Sequence, residues 1–276
     1  MKGAQLGAHH FHGTPVWGSA GDVHRIAVSG AGAFVSYVRP DQIAASLNFA
    51  AAVGIDNGAF SAWMRGLVIN WCEFYEWLLG YYHHPKVAFF VIPDVVEGGE
   101  SDNDALIRQV PRMFRDKAAP VWHLHESIDR LVELCRGWPR VCFGSSGEYA
   151  VIRTERWHRR MQAAFETIYC KYTFQTRVHG LRMLDGRVMG NYPLATADST
   201  NLACNVPKFN SKYPELTRAI REAEYSRGLS EKELKAVILK NRCAILKGVI
   251  EAVRPPSISE WSSKGLQPFQ LELEIA

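Results

Sequence analysis

Apolar and polar positions along the chain follow two alternating rhythms. Short runs rich in β-branched and aromatic residues occupy 25–29, 53–57, 87–92, 119–124, 141–143, 177–181 and 194–197. Each is read as a strand, and an eighth strand is expected ahead of His9. Between them, helical spacing covers 40–52, 70–82, 101–116, 127–138 and 154–171. Asn70 precedes Glu73 at the spacing of a helix cap, and Thr154 opens the longest helical stretch.

After Ala203 the strand signals stop, and 213–225 and 230–253 read as two helices. Ser230 with Glu233 makes a capping box, and Leu229 with Leu234 a hydrophobic staple. An apolar face is expected from Leu234, Val237, Ile238, Ile245, Val249 and Val253, with Lys232, Lys235, Lys240, Arg242 and Lys247 largely off it.

Strands that alternate with helices of this length pair in parallel. Seven or eight such units predict the α/β class: a (β/α)8 TIM-type barrel over 1–205, with a helical, basic C-terminal extension over 206–276 packed on it. An open doubly wound sheet is the runner-up. That fold normally carries a glycine-rich phosphate turn after its first strand, and the run Gly30-Ala-Gly32-Ala lacks the third glycine.

Composition narrows the class. With 47% apolar and 22% charged residues in 276, the chain is an ordinary globular one, neither disordered nor collagenous. The net charge of +4 is concentrated: 208–254 holds eleven basic and six acidic residues, so any anion-attracting surface is expected at the C-terminal end. Six scattered cysteines without a Cys-x-x-Cys pair argue against a disulfide scaffold or a thiolate zinc site. No apolar run approaches the ~18 residues of a membrane span, and no signal pattern opens the chain. The expectation is a cytoplasmic protein with reduced thiols.

In a parallel barrel, side chains at the C-terminal strand ends converge on one mouth. Those ends carry Asp56, Asp94, His123 with His125, the run Gly144-Ser145-Ser146-Gly147-Glu148, His179 and Asp198. One such aspartate is ordinarily a turn-maker or a helix cap; three at comparable positions suggest shared chemistry. Separated carboxylates suit displacement at an anomeric carbon, one attacking while another moves protons. A third can accept hydrogen bonds from the N–H edge of guanine. The Gly-Ser-Ser-Gly turn offers donors to a purine carbonyl, and Phe60 or Tyr149 could stack on a base.

His9, His10 and His12 are expected to send one or two imidazoles into the mouth and the rest into solvent. Joined to His123, His125 and the aspartates, they would suit a metal-dependent hydrolase instead.

These motifs resemble the tRNA-guanine transglycosylase superfamily. Asp56-Asn-Gly-Ala-Phe60 is similar to its Asp-Ser-Gly-Gly-Phe signature, and Pro93-Asp94-Val-Val to its base-binding aspartate. Gly144-Ser-Ser-Gly147-Glu148 stands where its base-reading loop lies, His179-Gly-Leu-Arg-Met where a histidine strand runs, and Asp198 where its nucleophile falls. The resemblance runs from Asp56 to Asp198. The cysteine-rich zinc site of the bacterial tRNA enzymes is missing, as are the added RNA-binding domains of the archaeal ones. In those respects the chain resembles most the phage and bacterial branch that inserts 7-deazaguanine bases, such as 7-cyano-7-deazaguanine, into DNA. His123 stands in place of an expected glutamine near the base.

The resemblance implies a pentosyltransferase with Asp198 as nucleophile and Asp56 handling protons. Asp94, Phe60, His123, His179 and residues 144–147 would hold the base, with no metal, redox cofactor or ATP. The partners implied are double-stranded DNA and a 7-deazaguanine; a homodimer is compatible with it, and a phage-encoded chain would work in the host cytoplasm. Phosphate contacts would come from Arg153, Arg156, Arg160, Arg182 and Lys240. The same exchange on tRNA, a catalytically silent partner subunit, and the metal-dependent hydrolase stay open.

Overall fold

The computed structural model describes residues 9–16, 21–208, 213–217 and 228–264. Nine parallel strand segments form one sheet: β1 (His10–Gly13), β2 (Gly32–Ser36), β3 (Ala52–Asp56), β4 (Val87–Val91), β5 (Ala118–Ala119), β6 (Val121–His123), β7 (Arg140–Gly144), β8 (Arg177–Leu181) and β9 (Thr196–Ser199). Their order is β5-β4-β3-β2-β1-β9-β8-β7-β6.

The two end segments are consecutive in the chain, separated only by Pro120. Proline cannot donate to a ladder, so it splits one strand into two. The first half bonds backward, Ile92 N–H donating to Ala119 O at 2.9 Å, and the second bonds forward, Cys142 N–H donating to Pro120 O at 2.8 Å. The sheet thereby closes on itself as an eight-stranded (β/α)8 barrel with extra C-terminal helices.

The outer ring contains α1 (Asp22–Val28), α2 (Ile43–Phe49), α3 (Ala59–Met64), α4 (Trp71–Tyr82), α5 (Glu100–Arg108), α6 (Ile128–Gly137), α7 (Glu155–Phe165), the short α8 (Gly186–Met189) and α9 (Asn201–Asn205). Asn70 and Thr154 cap α4 and α7, accepting from Cys72 N–H and Trp157 N–H. The expected helix over 101–116 ends at Arg108, and a 3-10 turn (Arg112–Lys117) follows Pro111. The one over 154–171 continues from α7 as a wider π-helical turn (Glu166–Lys171).

One predicted strand is corrected. Residues 25–29 lie largely in α1, where Val23, Ala27 and Val28 are buried at helical spacing and Asp22 sits in the first turn. The strand is β2, a few residues later. Gly32 opens it because a Cβ there would stand 2.6 Å from the Phe11 ring, while Gly30 makes the turn before it at φ 72°.

Alternate residues face the barrel axis. Phe11, Phe34, Ala52, Phe89, Val91, Ala119, Val121 and Cys142 form the inner cluster, while a larger apolar layer lies between sheet and helices. Phe11 points inward, so His10 and His12 point outward, which corrects the expectation that they enter the mouth. Both are buried beneath α10 (Glu231–Glu251). His10 Nε2 bonds Val253 O at 2.7 Å and His12 Nε2 bonds Glu251 Oε1 at 2.9 Å. Burial lowers the pKa of both imidazoles.

The capping box on α10 forms as expected, Ser230 and Glu233 exchanging hydrogen bonds. Its buried face differs: Cys243, Leu246 and Ile250 are covered, while Val249 is exposed. The reason is Arg242, which is buried and donates to the carbonyls of Val206 (2.6 Å), Asn205 (3.0 Å), Leu216 and Lys208. That polar anchor rotates the helix away from the stripe its apolar residues suggest. The expected helix over 213–225 lies largely outside the described residues. No helix among those described is long and apolar enough to cross a membrane.

Candidate active site at the C-terminal mouth of the barrel

Inward-facing positions at the tops of the strands build one cavity of about 260 Å³. It is lined by Asp56 from β3, Asp94 after β4, His123 from β6, Gly144-Ser145-Ser146 after β7, Arg182 after β8 and Asp198 from β9, with Phe60 at the entrance. Most of the residues expected at the site from sequence therefore meet in one place. Two of the expected base-holding residues do not line it. His179 lies fully buried just beneath the floor, and Gly147 sits behind, its Cα facing His125.

The three carboxylates occupy different settings. Asp94 is held by Asn57, whose Nδ2 donates to Asp94 Oδ1 and to Ile92 O, both at 2.7 Å. Asn57 Oδ1 in turn accepts from Ala59 N–H at 2.7 Å, which fixes the amide at the start of α3. On the other side, His123 Nε2 approaches Asp94 Oδ2 to 3.0 Å.

Asp198 Oδ1 accepts from the Arg182 backbone N–H at 3.0 Å, and His179 Nε2 stands 3.3 Å from the same oxygen. Arg182 adopts φ of 58° to deliver that N–H. Thr196 Oγ1 lies 2.8 Å from His179 Nδ1 and accepts from Arg140 at 3.0 Å. With the threonine hydroxyl donating to Nδ1, the imidazole proton rests on Nε2, facing the carboxylate. Burial lowers the His179 pKa, so the ring is neutral.

Asp56 is held by fewer donors, the Gly58 N–H reaching its Oδ2 at 3.2 Å. Burial raises its pKa to about 7, with Asp198 and Asp94 adding to the rise; Ser36 and the Gly58 N–H oppose it. Two like-charged carboxylates nearby favour its protonated form.

Arg182 completes the cavity. Its guanidinium lies 3.8 Å from the centre of the Phe60 ring and donates to Ser145 O at 3.2 Å. Sequence reading reserved this residue for phosphate contact; the structure puts it in the cavity wall. Ser36 and Asn57 were missed. Ser36 ends the strand that sequence reading placed too early, whereas Asn57 could have been found, since it lies inside the Asp-Asn-Gly motif.

Elsewhere, Glu148 pairs with Arg156 at 2.8 Å on an exposed surface. Tyr149 lies outside the cavity lining, beneath Arg160. Arg160 donates to Leu124 O at 2.8 Å and to Glu126 O, and Arg153 lies 3.8 Å from Asp185. Lys240 pairs with Asp22 of α1 at 2.5 Å. Among the described residues no three His, Cys, Asp or Glu side chains converge as metal ligands.

No protein-family model matches the chain, and no curated protein matches it. Among solved structures it is similar to the YdjI aldolase from Escherichia coli K12. The identity is 11%, covering 89% of this chain and 92% of that one, with a TM-score of 0.48. The strand order, ring closure and polar C-terminal mouth define the class: a TIM-barrel fold of the kind that carries enzymes.

Proposed function

We propose that the mouth catalyses exchange of guanine in DNA for a 7-deazaguanine base. The observation that carries this reading is the meeting of Asp56, Asp94 and Asp198 in one cavity, each in a different electrostatic setting. Asp198, with donors from Arg182 and His179 aimed at one oxygen, is positioned to attack with the other. Asp56, with a pKa raised to about 7, is suited to give and take a proton near neutrality. Asp94, fixed by Asn57, presents an acceptor to a purine's N–H edge.

The target nucleotide flips from the duplex into the mouth, at a cost of a few kcal/mol. Asp198 forms a bond to C1′ as the C1′–N9 bond breaks, and Asp56 supplies the proton that guanine takes away. An incoming 7-deazaguanine then loses its N9 proton to Asp56 and attacks C1′, releasing Asp198. Two inversions leave the configuration retained.

The test is incorporation of radiolabelled guanine into duplex DNA and, in parallel, into bulk tRNA, for wild type and Asp198→Ala. Label in DNA with wild type alone supports the reading. Label in tRNA alone moves the exchange to RNA, and label in neither overturns it.

A further inference from the structure

At the opposite end of the barrel, the inward-facing ladder of β7 and β8 begins with two arginines. Arg140 pairs in register with Arg177, Cys142 with His179 and Gly144 with Leu181. Register partners on adjacent parallel strands share a face, so both arginines belong to the lowest interior rung. They line a second cavity of about 310 Å³ together with Phe89, Lys117, Gln175 and Asp116.

Arg140 is largely buried. One guanidinium nitrogen donates to Thr196 Oγ1, and the group lies 4.4 Å from the centre of the Phe89 ring. Among the described residues neither Arg140 nor Arg177 forms an ion pair, and the Asp116 carboxylate at the rim lies beyond 4 Å of both. Burial and the neighbouring Arg177 charge draw the Arg140 pKa down to about 10, still leaving it cationic at neutral pH. Lys117 is engaged differently, donating to Tyr82 O at 2.7 Å. Two guanidiniums on one rung repel, and a buried one without a counter-charge is costly. A chain usually offsets such a pair with carboxylates in contact, and here the one in the lining, Asp116, pairs with neither arginine.

We propose that this N-terminal cavity is an oxyanion site, in which Arg140 and Arg177 together hold a phosphate group, either as the free ion or as the end of a small phosphomonoester. Guanidinium forks match the tetrahedral oxygens of phosphate, and paired arginines do so better than one. The site is separate from the catalytic mouth, and it stands whatever reaction the mouth performs. It is also wired to the mouth: Arg140 holds Thr196, Thr196 holds His179 Nδ1, and His179 Nε2 faces Asp198. An anion drawn against Arg140 changes the donor that Thr196 receives, so occupancy registers at the His179 ring.

The experiment titrates the intact protein with inorganic phosphate, and separately with glycerol phosphate, against chloride at fixed ionic strength. Binding is followed by calorimetry and by the ring 15N signals of His179. The expected result is saturable binding with a Kd of about 1 mM or tighter, accompanied by a shift of the His179 signals. Arg177→Gln, at the exposed edge, is expected to weaken it about tenfold or more, and Arg140→Gln to abolish it. Arg177→Gln keeps the test sound should Arg140→Gln fold poorly. Tighter binding of glycerol phosphate assigns the site to a phosphomonoester, and equal or weaker binding assigns it to the free ion. Absence of saturable binding in wild type overturns the proposal. So does binding that survives Arg177→Gln but is lost in Arg182→Gln, which would put the ion at the mouth.

Discussion

His179 and Asp198 face each other on neighbouring strands, with the imidazole Nε2 3.3 Å from Asp198 Oδ1 and the ring wholly buried beneath the cavity floor. The contact joins the barrel's packed interior to its C-terminal mouth. Phe34 and Phe89 pack against the same ring, at centroid distances of 5.0 and 4.8 Å.

Replacing His179 by Phe keeps the packing and removes the donor aimed at Asp198. A hydrogen bond to a charged group contributes about 1.5–3 kcal/mol. We expect base exchange to slow about ten- to hundred-fold, mainly in kcat, with the unfolding midpoint little changed. Parallel steady-state kinetics and urea titration check this.

Asp56 couples folding to pH with a definite sign. Its folded pKa, near 7, lies above the unfolded value near 3.8. The folded state binds the proton more tightly, so stability is greatest below the unfolded value and falls as pH rises towards 7. Asp56 is only partly buried at the cavity wall, which limits the effect to about a few kcal/mol at most. Asp56→Asn is therefore expected to be more resistant to urea than wild type at pH 8 and to lose that advantage by pH 4. The same substitution should lower base exchange at every pH, since the group proposed to carry the proton is gone.

His10 and His12 carry the opposite sign. Burial lowers both pKa values, so protonation opposes the folded state, and stability is lost as pH falls below about 6.5. Glu251 and Lys247 face His12, and Glu251 resists the fall by attracting an imidazolium. The prediction is faster hydrogen exchange over α10 at pH 5 than at pH 7, after correction for intrinsic rates, while the β3 and β4 amides stay protected. Glu251→Gln should deepen the loss at pH 5, because the folded His12 then binds its proton still more weakly.

Gly54 admits the interior aromatics. A Cβ there would stand 2.8 Å from Phe34 and 3.0 Å from Phe89. Gly54→Ala is expected to destabilise the barrel by about 1–3 kcal/mol through overpacking, measurable as a lower thermal midpoint. Gly80, open on its helix with no atom within 4 Å of such a Cβ, should tolerate alanine without loss.

How far the sequence reveals this molecule depends on how local each signal is. Asp56, Asp94 and Asp198 could be found because each lies at or just past the C-terminal end of a strand whose apolar run and turn residues are contiguous, and the barrel rule then sends all three to one mouth. The caps at Asn70, Thr154 and Ser230 are equally local. Ser36 was lost with the misassigned strand: in 23–28 the β-branched residues also fit a helical face, and periodicity alone does not choose between them. The orientation of His10 and His12 depends on which parity of β1 enters the barrel, a choice made by Phe11 against Gly32 some twenty residues later. Arg182 reaches the cavity only because its backbone turns left-handed after β8, and Arg242 turns α10 for the sake of carbonyls far away in the chain. Such features arise from tertiary contact and leave no pattern within a short window.

The most direct test of base exchange at this mouth is intact-mass spectrometry of the enzyme, acid-quenched during turnover on a guanine-containing DNA duplex. The account predicts a covalent protein–oligonucleotide adduct lacking one guanine, located on the peptide that carries Asp198. It should be discharged by added 7-deazaguanine base and absent from Asp198→Asn. An Asp198→Asn enzyme that still exchanges guanine, or a wild type that exchanges it with the adduct on another residue, would contradict it.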